Sequence, residues 1–234
     1  MDFKLSREAF LKVLNHVSSI VDTRSTIPIL SNIFIKCENN IIEIRSTDMD
    51  ISIREFVSVD SSKNGEATVN SRILTDIIRK TKKNSIIKLK TEGSRLIIHS
   101  ENSVFELNAL SADDFPNFTL LDQSNSFNLS VEEIKRIFNK TKFAISSEET
   151  RYYLNGIYLH TIALDDQNIL KAVATDGHRL AKTETLLKSK SIISGIILPR
   201  KFILQLDKIL GDFEGDIKIV CTDTQVSFET ENFI

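Results

Sequence analysis

Ile41-Ile42-Glu43-Ile44-Arg45-Ser46-Thr47-Asp48 reads as a strand running into a turn, with apolar and polar residues alternating before a Ser-Thr-Asp ending. Its Thr47-Asp48 returns 128 residues later as Thr175-Asp176, after Ala174 and a second strand that runs to Val173. One such match is common; a register held along the chain is not. Asn32 answers Asn155 at an offset of 123, Arg72 answers Arg200 at 128, and Ile87-Lys88 answers Ile217-Lys218 at 130. A slowly drifting offset is what loop insertions produce in a duplicated module. The chain therefore reads as one module of roughly 125 residues written twice in tandem.

The first copy opens with a helix that Ser6 can cap, placing Phe10, Leu11, Leu14, Val17 and Ile20 on one face. A polar loop leads to Pro28, and strands follow at 32–36, 41–45 and 51–59. A second helix from about Ser71 to Lys82 is expected to bury Ile73, Leu74, Ile77 and Ile78. Strands 86–90, 95–100 and 104–110 close the module, and Asp113-Asp114-Phe115-Pro116 is its exit.

The second copy begins with a capping box, Ser130 and Glu133, ahead of a helix burying Ile134, Ile137 and Phe138. Pro199 takes a first-turn position of another helix, which buries Phe202, Ile203 and Leu206. Each module orders helix, strands, helix, strands, so the expected class is α+β, with two helices on one face of antiparallel sheets. The module boundaries fall at 1–122 and 123–234. Glu101-Asn102 matches Glu231-Asn232, so Phe233-Ile234 are expected to enter the last strand of the second copy. Stopping there would leave a neighbouring strand unpaired, and the expectation is a fragment whose second module is incomplete.

Composition sets outer bounds. Hydrophobic residues are 41% and charged residues 26%, ordinary for a soluble globular protein, and no apolar run is long enough to span a membrane. Cys37 and Cys221 are unclustered, which gives no disulfide framework and suits a reducing, cytoplasmic setting. With only seven glycines, a phosphate-cradling loop would be conspicuous, and none is present. No cofactor is expected.

The net charge of −2 is unevenly spread. Over residues 71–83, Arg72, Arg79, Lys80, Lys82 and Lys83 oppose only Asp76, net +4. The helices at 131–142 and 200–210 each carry +2 and the first helix +1, which leaves −11 on everything else. Basic helices backed by acidic strands and loops can lie along a phosphate backbone without reading bases.

Three stretches are distinctive: Arg24 through Pro28-Ile29-Leu30-Ser31-Asn32, then Arg151-Tyr152-Tyr153-Leu154-Asn155-Gly156, then Ala174-Thr175-Asp176-Gly177-His178-Arg179-Leu180. With Asp114-Phe115-Pro116 and Pro199-Arg200-Lys201, they resemble the bacterial sliding clamp, the beta subunit of DNA polymerase III. The resemblance runs from Phe3 to Ile234. It implies tandem DNA-clamp modules, a third module absent from this chain, and a homodimer closed head to tail around double-stranded DNA. The implied role is non-catalytic: a processivity factor in DNA replication that tethers the polymerase.

The same resemblance assigns residues. Arg24, Arg72, Tyr152, Tyr153, Arg200 and Lys201 are implied DNA contacts. Glu148 stands where a DNA-contacting Gln is expected, and a carboxylate there repels phosphate. Arg151, Tyr153, Leu154, Thr175, Gly177, His178, Arg179 and Leu180 form one wall of a pocket for short linear peptides of the polymerase, the clamp loader and repair proteins. Ile73, Ile77, Phe105 and Leu107 match one side of the dimer seam.

Two other readings compete. A plain basic DNA-binding module would need no ring. A metal-dependent nuclease would use Asp48 and Asp50, or Asp176 with His178. The repeat favours a turn instead, because Asp48 and Asp176 share one position and a carboxylate at a strand end accepts backbone N–H bonds.

Overall fold

The structure, a computed structural model, describes residues 1–21, 26–117, 121–123, 125–148, 150–164, 167–189 and 191–234. The architecture is α+β. It divides into two compact units, Met1–Phe118 with Asn232–Ile234, and Thr119–Glu231.

In the first unit β1 (Asp2–Ser6) leads straight into α1 (Arg7–Ser18). Ser6 ends the strand and caps the helix, its Oγ accepting from the Ala9 N–H at 3.2 Å. There follow β2 (Asn32–Glu38), β3 (Ile41–Thr47), β4 (Ser52–Ser58), β5 (Asp60–Lys63) and β6 (Gly65–Asn70). Then come α2 (Ser71–Lys80), β7 (Ile86–Glu92), β8 (Arg95–Ser100) and β9 (Ser103–Leu110). Phe10, Leu14 and Val17 of α1 and Leu74 and Ile78 of α2 are fully buried, as are Ile33, Ile35, Ile42, Ile44, Ile87 and Ile98 on the strands. Each such side chain contributes about 1.5–3 kcal/mol of transfer free energy.

Asn70 caps α2, accepting from the Ile73 N–H at 3.0 Å. The helix stops at Lys80, where Thr81 turns to extended backbone. Ile73 and Ile77 do not join Leu74 and Ile78 in the core: Ile73 is 50% exposed and Ile77 half-buried. Adjacent helical residues point about 100° apart, so the two apolar pairs lie on different flanks.

The second unit holds β10 (Ser126–Ser130), α3 (Val131–Thr141), β11 (Gly156–Leu164), β12 (Gln167–Thr175) and β13 (Leu180–Leu187). β14 (Ile196–Pro199), α4 (Arg200–Ile209), β15 (Asp216–Cys221) and β16 (Val226–Glu229) complete it. Ser130 caps α3 through the Glu133 N–H at 3.2 Å, but the capping box is only half made. The Glu133 carboxylate goes to Arg136 instead, at 2.7 and 2.8 Å, and that pair holds its pKa below the usual carboxylate range. Pro199 closes β14 and sits one residue ahead of α4, whose first N–H, on Arg200, donates to the Asn155 carbonyl at 3.0 Å. Phe202 is half-buried, its ring 5.4 Å from that of Phe228.

The repeat is visible in the strand order. The first unit forms one nine-stranded sheet, β4-β3-β2-β6-β9-β8-β7-β1-β5. The second forms a four-stranded sheet, β13-β12-β11-β14, and a three-stranded one, β10-β15-β16. These match β4-β3-β2-β6 and β1-β7-β8 strand for strand. β9 is what joins the two halves in the first unit, pairing with β6 at Thr68↔Leu110 and Val69↔Ala109 and with β8 from Ser103 to Asn108. No counterpart of β9 pairs with β16 among the described residues. Phe233 and Ile234, which the repeat places at the start of that counterpart, lie on the edge of β4, with Phe233 opposite Glu55 and 2% exposed.

Candidate nucleic-acid and peptide surface

The two Thr-Asp turns are one structure made twice. In the first, Asp48 Oδ1 accepts from the N–H groups of Asp50 and Ile51 at 3.0 and 2.7 Å, and Thr47 Oγ1 donates to the Ile51 carbonyl at 3.0 Å. In the second, Asp176 Oδ1 accepts from His178 and Arg179 N–H at 3.0 Å each, and Thr175 Oγ1 donates to the Arg179 carbonyl at 2.7 Å. The next residue takes the left-handed region in both, Met49 at φ +82° and Gly177 at φ +90°. These bonds are the ones expected of a turn. They also hold the Asp176 carboxyl down to about 2, with the Arg179 and His178 N–H groups the main cause and the Arg179 side chain adding to it.

That second turn meets the Arg151–Gly156 stretch. A side-chain carbon added at Gly177 would have Arg151 Nη1 as its neighbour, at 3.8 Å. The Ser146 N–H donates to the Leu154 carbonyl at 3.0 Å and the Leu154 N–H to the Arg151 carbonyl at 2.8 Å. Arg151, Tyr153, Gly177, His178, Arg179 and Leu180 are exposed, Leu180 at 66%, while Leu154 and Thr175 are half-buried. Arg179 is held from two sides, by Asp176 Oδ2 at 2.9 Å and by the Phe143 ring, whose centroid lies 5.7 Å from the guanidinium carbon. Phe143 was not legible in sequence; it is an apolar residue just past a helix, 36 positions from the arginine it supports.

Tyr152 and Tyr153 are 78% and 57% exposed and touch edge to face at 5.6 Å, so neither is a core tyrosine. Glu148 is paired with Arg151, Oε2 to Nε, at 2.8 Å. Arg24 lies outside the described residues. Arg72, in the first turn of α2, lines a cleft of about 530 Å³ between the end of α1 and α2, with Ser18, Asn70, Asp76 and Arg79. Arg200 and Lys201 are exposed in the first turn of α4.

Not every basic helical residue is available to a polyanion. Arg7 is 8% exposed and caps the end of α2, donating to the carbonyls of Arg79 at 2.8 Å and Thr81 at 3.1 Å. Arg136 ties α3 to β13 through Thr183 Oγ1 and the Glu184 carbonyl, and Lys142 pairs with Asp207 at 2.8 Å. Phe105 and Leu107 are half-buried on β9, between exposed Val104, Glu106 and Asn108.

Family models bracket the chain: "DNA polymerase III beta subunit, N-terminal domain" matches residues 1–119 and the central domain of the same subunit matches 128–234. A "Beta sliding clamp" of Caulobacter vibrioides is 38% identical over 98% of the chain, and one of Pseudomonas putida is 33% identical over all of it. The chain spans 62% and 63% of those relatives' lengths. Among solved structures, a sliding clamp of Bartonella birtlesii bound to griselimycin superposes with a TM-score of 0.94 at 38% identity, over the whole chain and 63% of that structure. A Caulobacter crescentus sliding clamp gives 0.93 at 36% identity, over the whole chain and 64% of that structure.

Proposed function

As the chain belongs to the DNA polymerase III beta subunit family across both its N-terminal and central domains, we propose that it works as part of a sliding clamp in DNA replication. The observation that carries this reading is the juxtaposition of the Arg151–Gly156 loop and the Thr175–Leu180 turn in a unit whose helices are basic.

In this reading the exposed side chains of Arg72, Arg200, Lys201, Tyr152 and Tyr153, together with Arg24, meet duplex phosphates. The contacts are electrostatic and sequence-independent, as a clamp that slides requires. Arg151, Leu154, Gly177, His178, Arg179 and Leu180 receive short linear peptides of the polymerase, the clamp loader and repair proteins. The exposed Leu180 and half-buried Leu154 supply apolar anchorage, and Arg151 and Arg179 meet polar peptide groups. Ile73, Ile77, Phe105 and Leu107 form one side of the seam of a head-to-tail dimer. The protein acts in the cytoplasm, without a cofactor and without chemistry of its own. Among the described residues no helix is long and apolar enough to cross a membrane.

Topology provides the test. The full-length protein, loaded on nicked circular duplex, should survive a high-salt wash and leave when the circle is cut. Loss in salt with no effect of cutting would instead identify a plain electrostatic DNA binder and reject the clamp.

A further inference from the structure

The turns at Thr47–Ser52 and Thr175–Leu180 share their backbone bonds, yet the second unit adds a pair of side chains that the first does without. In the place of Arg179 the first turn has Ile51, three residues after its own aspartate and 7% exposed. In the place of Phe143 the first unit has Ser19, since each stands thirteen residues past the serine that caps its helix, Ser6 or Ser130. Neither the turn nor the helix end therefore needs an arginine lying on a phenyl ring in order to fold.

Phe143 has a fixed base and an open ring. It occupies a single 3-10 turn, Lys142–Ala144, after α3. Lys142 before it pairs with Asp207, and Ala144 and Ile145 after it are buried, while Phe143 itself stays 56% exposed. The Arg179 guanidinium carbon, 5.7 Å from the ring centroid, is within reach of the negative face of the ring. At the other support Arg179 Nε donates to Asp176 Oδ2 at 2.9 Å. A guanidinium has five N–H donors, and the four on Nη1 and Nη2 of Arg179 make no hydrogen bond among the described residues. Arg151 repeats the arrangement beside Gly177. Its Nε pairs with Glu148 Oε2 at 2.8 Å, and its Nη1 is the atom 3.8 Å from where a Gly177 side-chain carbon would stand.

A guanidinium tied at Nε and free at Nη presents a fork that fits a carboxylate. We propose that Phe143 is a positioning residue of the peptide surface: its ring holds Arg179 with the Nη groups free to receive a carboxylate of the bound peptide. The inference rests on the peptide reading above and narrows it, from peptides with polar groups to peptides with an acidic residue beside the apolar anchor. The ring matters because a side chain ordered before binding does not have to be ordered by it. Without the ring the arginine keeps its charge and loses its direction.

The test uses the full-length protein and labelled hexapeptides that carry two leucines and one aspartate, placed at each remaining position in turn, with asparagine versions as their match. The best aspartate peptide should bind about tenfold more tightly than its match. Phe143→Ala and Phe143→Leu should each cut that preference roughly two- to five-fold, with circular dichroism unchanged. Phe143→Tyr and Phe143→Trp, which restore a ring face, should keep it. Affinity for the asparagine peptide should stay within about twofold in all four variants, whereas a purely structural residue would weaken both peptides alike. In an Arg179→Ala background Phe143→Ala should change nothing further. An aspartate preference that survives Phe143→Ala, or that falls equally in Phe143→Tyr, overturns the proposal. Binding with no preference for aspartate sinks this inference alone, and failure of every peptide to bind sinks the peptide reading along with it.

Discussion

Glu148 Oε2 lies 2.8 Å from Arg151 Nε, so the carboxylate that replaces an expected DNA-contacting amide is turned onto the arginine three residues ahead. The pair is exposed, with side chains 58% and 48% accessible, and contributes little to stability. Its effect is on charge presented outward. Glu148→Gln should release Arg151 and remove a repulsive carboxylate. Duplex affinity should rise roughly two- to five-fold, equivalent to about 0.4–1 kcal/mol. The slope of log K against log salt should steepen by about one. Fluorescence anisotropy over a salt series measures both, and an unchanged slope would remove Glu148 from the DNA surface.

Met49 and Gly177 occupy the same left-handed turn position, and only one of them is glycine. Met49 is 64% exposed, so its side chain gains no packing to offset the backbone cost. Met49→Gly should stabilise the first unit by up to about 1 kcal/mol, whereas Gly177→Ala should destabilise the second by about 1–2 kcal/mol. The Ala side chain meets nothing closer than Arg151 Nη1 at 3.8 Å, so the second effect is conformational rather than steric. Denaturant unfolding of both variants checks the signs, and equal signs would contradict the account.

What the sequence made legible was local chemistry in register. Ser6 and Ser130 as caps, and Thr-Asp as a turn, depend on atoms two to four residues apart and can be read from spacing alone. The unread parts depended on distant partners. Arg7 counts as a basic helical residue, yet its guanidinium is taken up by carbonyls more than seventy residues away. Glu133 had the spacing of a capping box and was captured by Arg136, a competitor at i+3 that spacing cannot rank. β13 is polar on both faces over Lys182–Thr185 and shows no alternation, because it is an edge strand defined by β12 alone. β1 is too short for its two apolar residues to establish a period.

The Asp176 turn should be resistant to acid. Its carboxyl is held at about 2, below the ordinary value near ~3.9, so its contribution is fully present above that ordinary value and is lost as pH falls through about 2. NMR of the Arg179 amide should follow the carboxyl, shifting with a midpoint near the carboxyl's own value. Asp176→Asn keeps an acceptor for the His178 and Arg179 amides and loses the charge on Arg179 Nε, so the turn should persist while Arg179 loosens. A midpoint near 4 would mean that the backbone bonds do not hold the carboxylate.

His16 and Glu55 are the strongest test of how α1 is seated on β4. His16 Nδ1 lies 3.2 and 3.1 Å from the two carboxylate oxygens, with side chains 8% and 4% exposed. A buried carboxylate deprived of its partner keeps the desolvation cost of a charge, which exceeds the cost of one lost hydrogen bond. The two single variants should therefore differ. His16→Leu should cost about 3–5 kcal/mol, because it strands the carboxylate. Glu55→Leu should cost less, about 1–3 kcal/mol, because the imidazole loses its hydrogen bond to the carboxylate. His16→Leu with Glu55→Leu should recover most of the loss, since replacing both partners by apolar groups removes the unpaired charge altogether. Urea unfolding of the three variants settles the order, and His16→Leu milder than Glu55→Leu would mean that the carboxylate is satisfied without the histidine. Glu55 also stands opposite Phe233 on the β4 edge, so faster hydrogen exchange at Arg54 and Ile234 should accompany the His16→Leu loss and not the double variant.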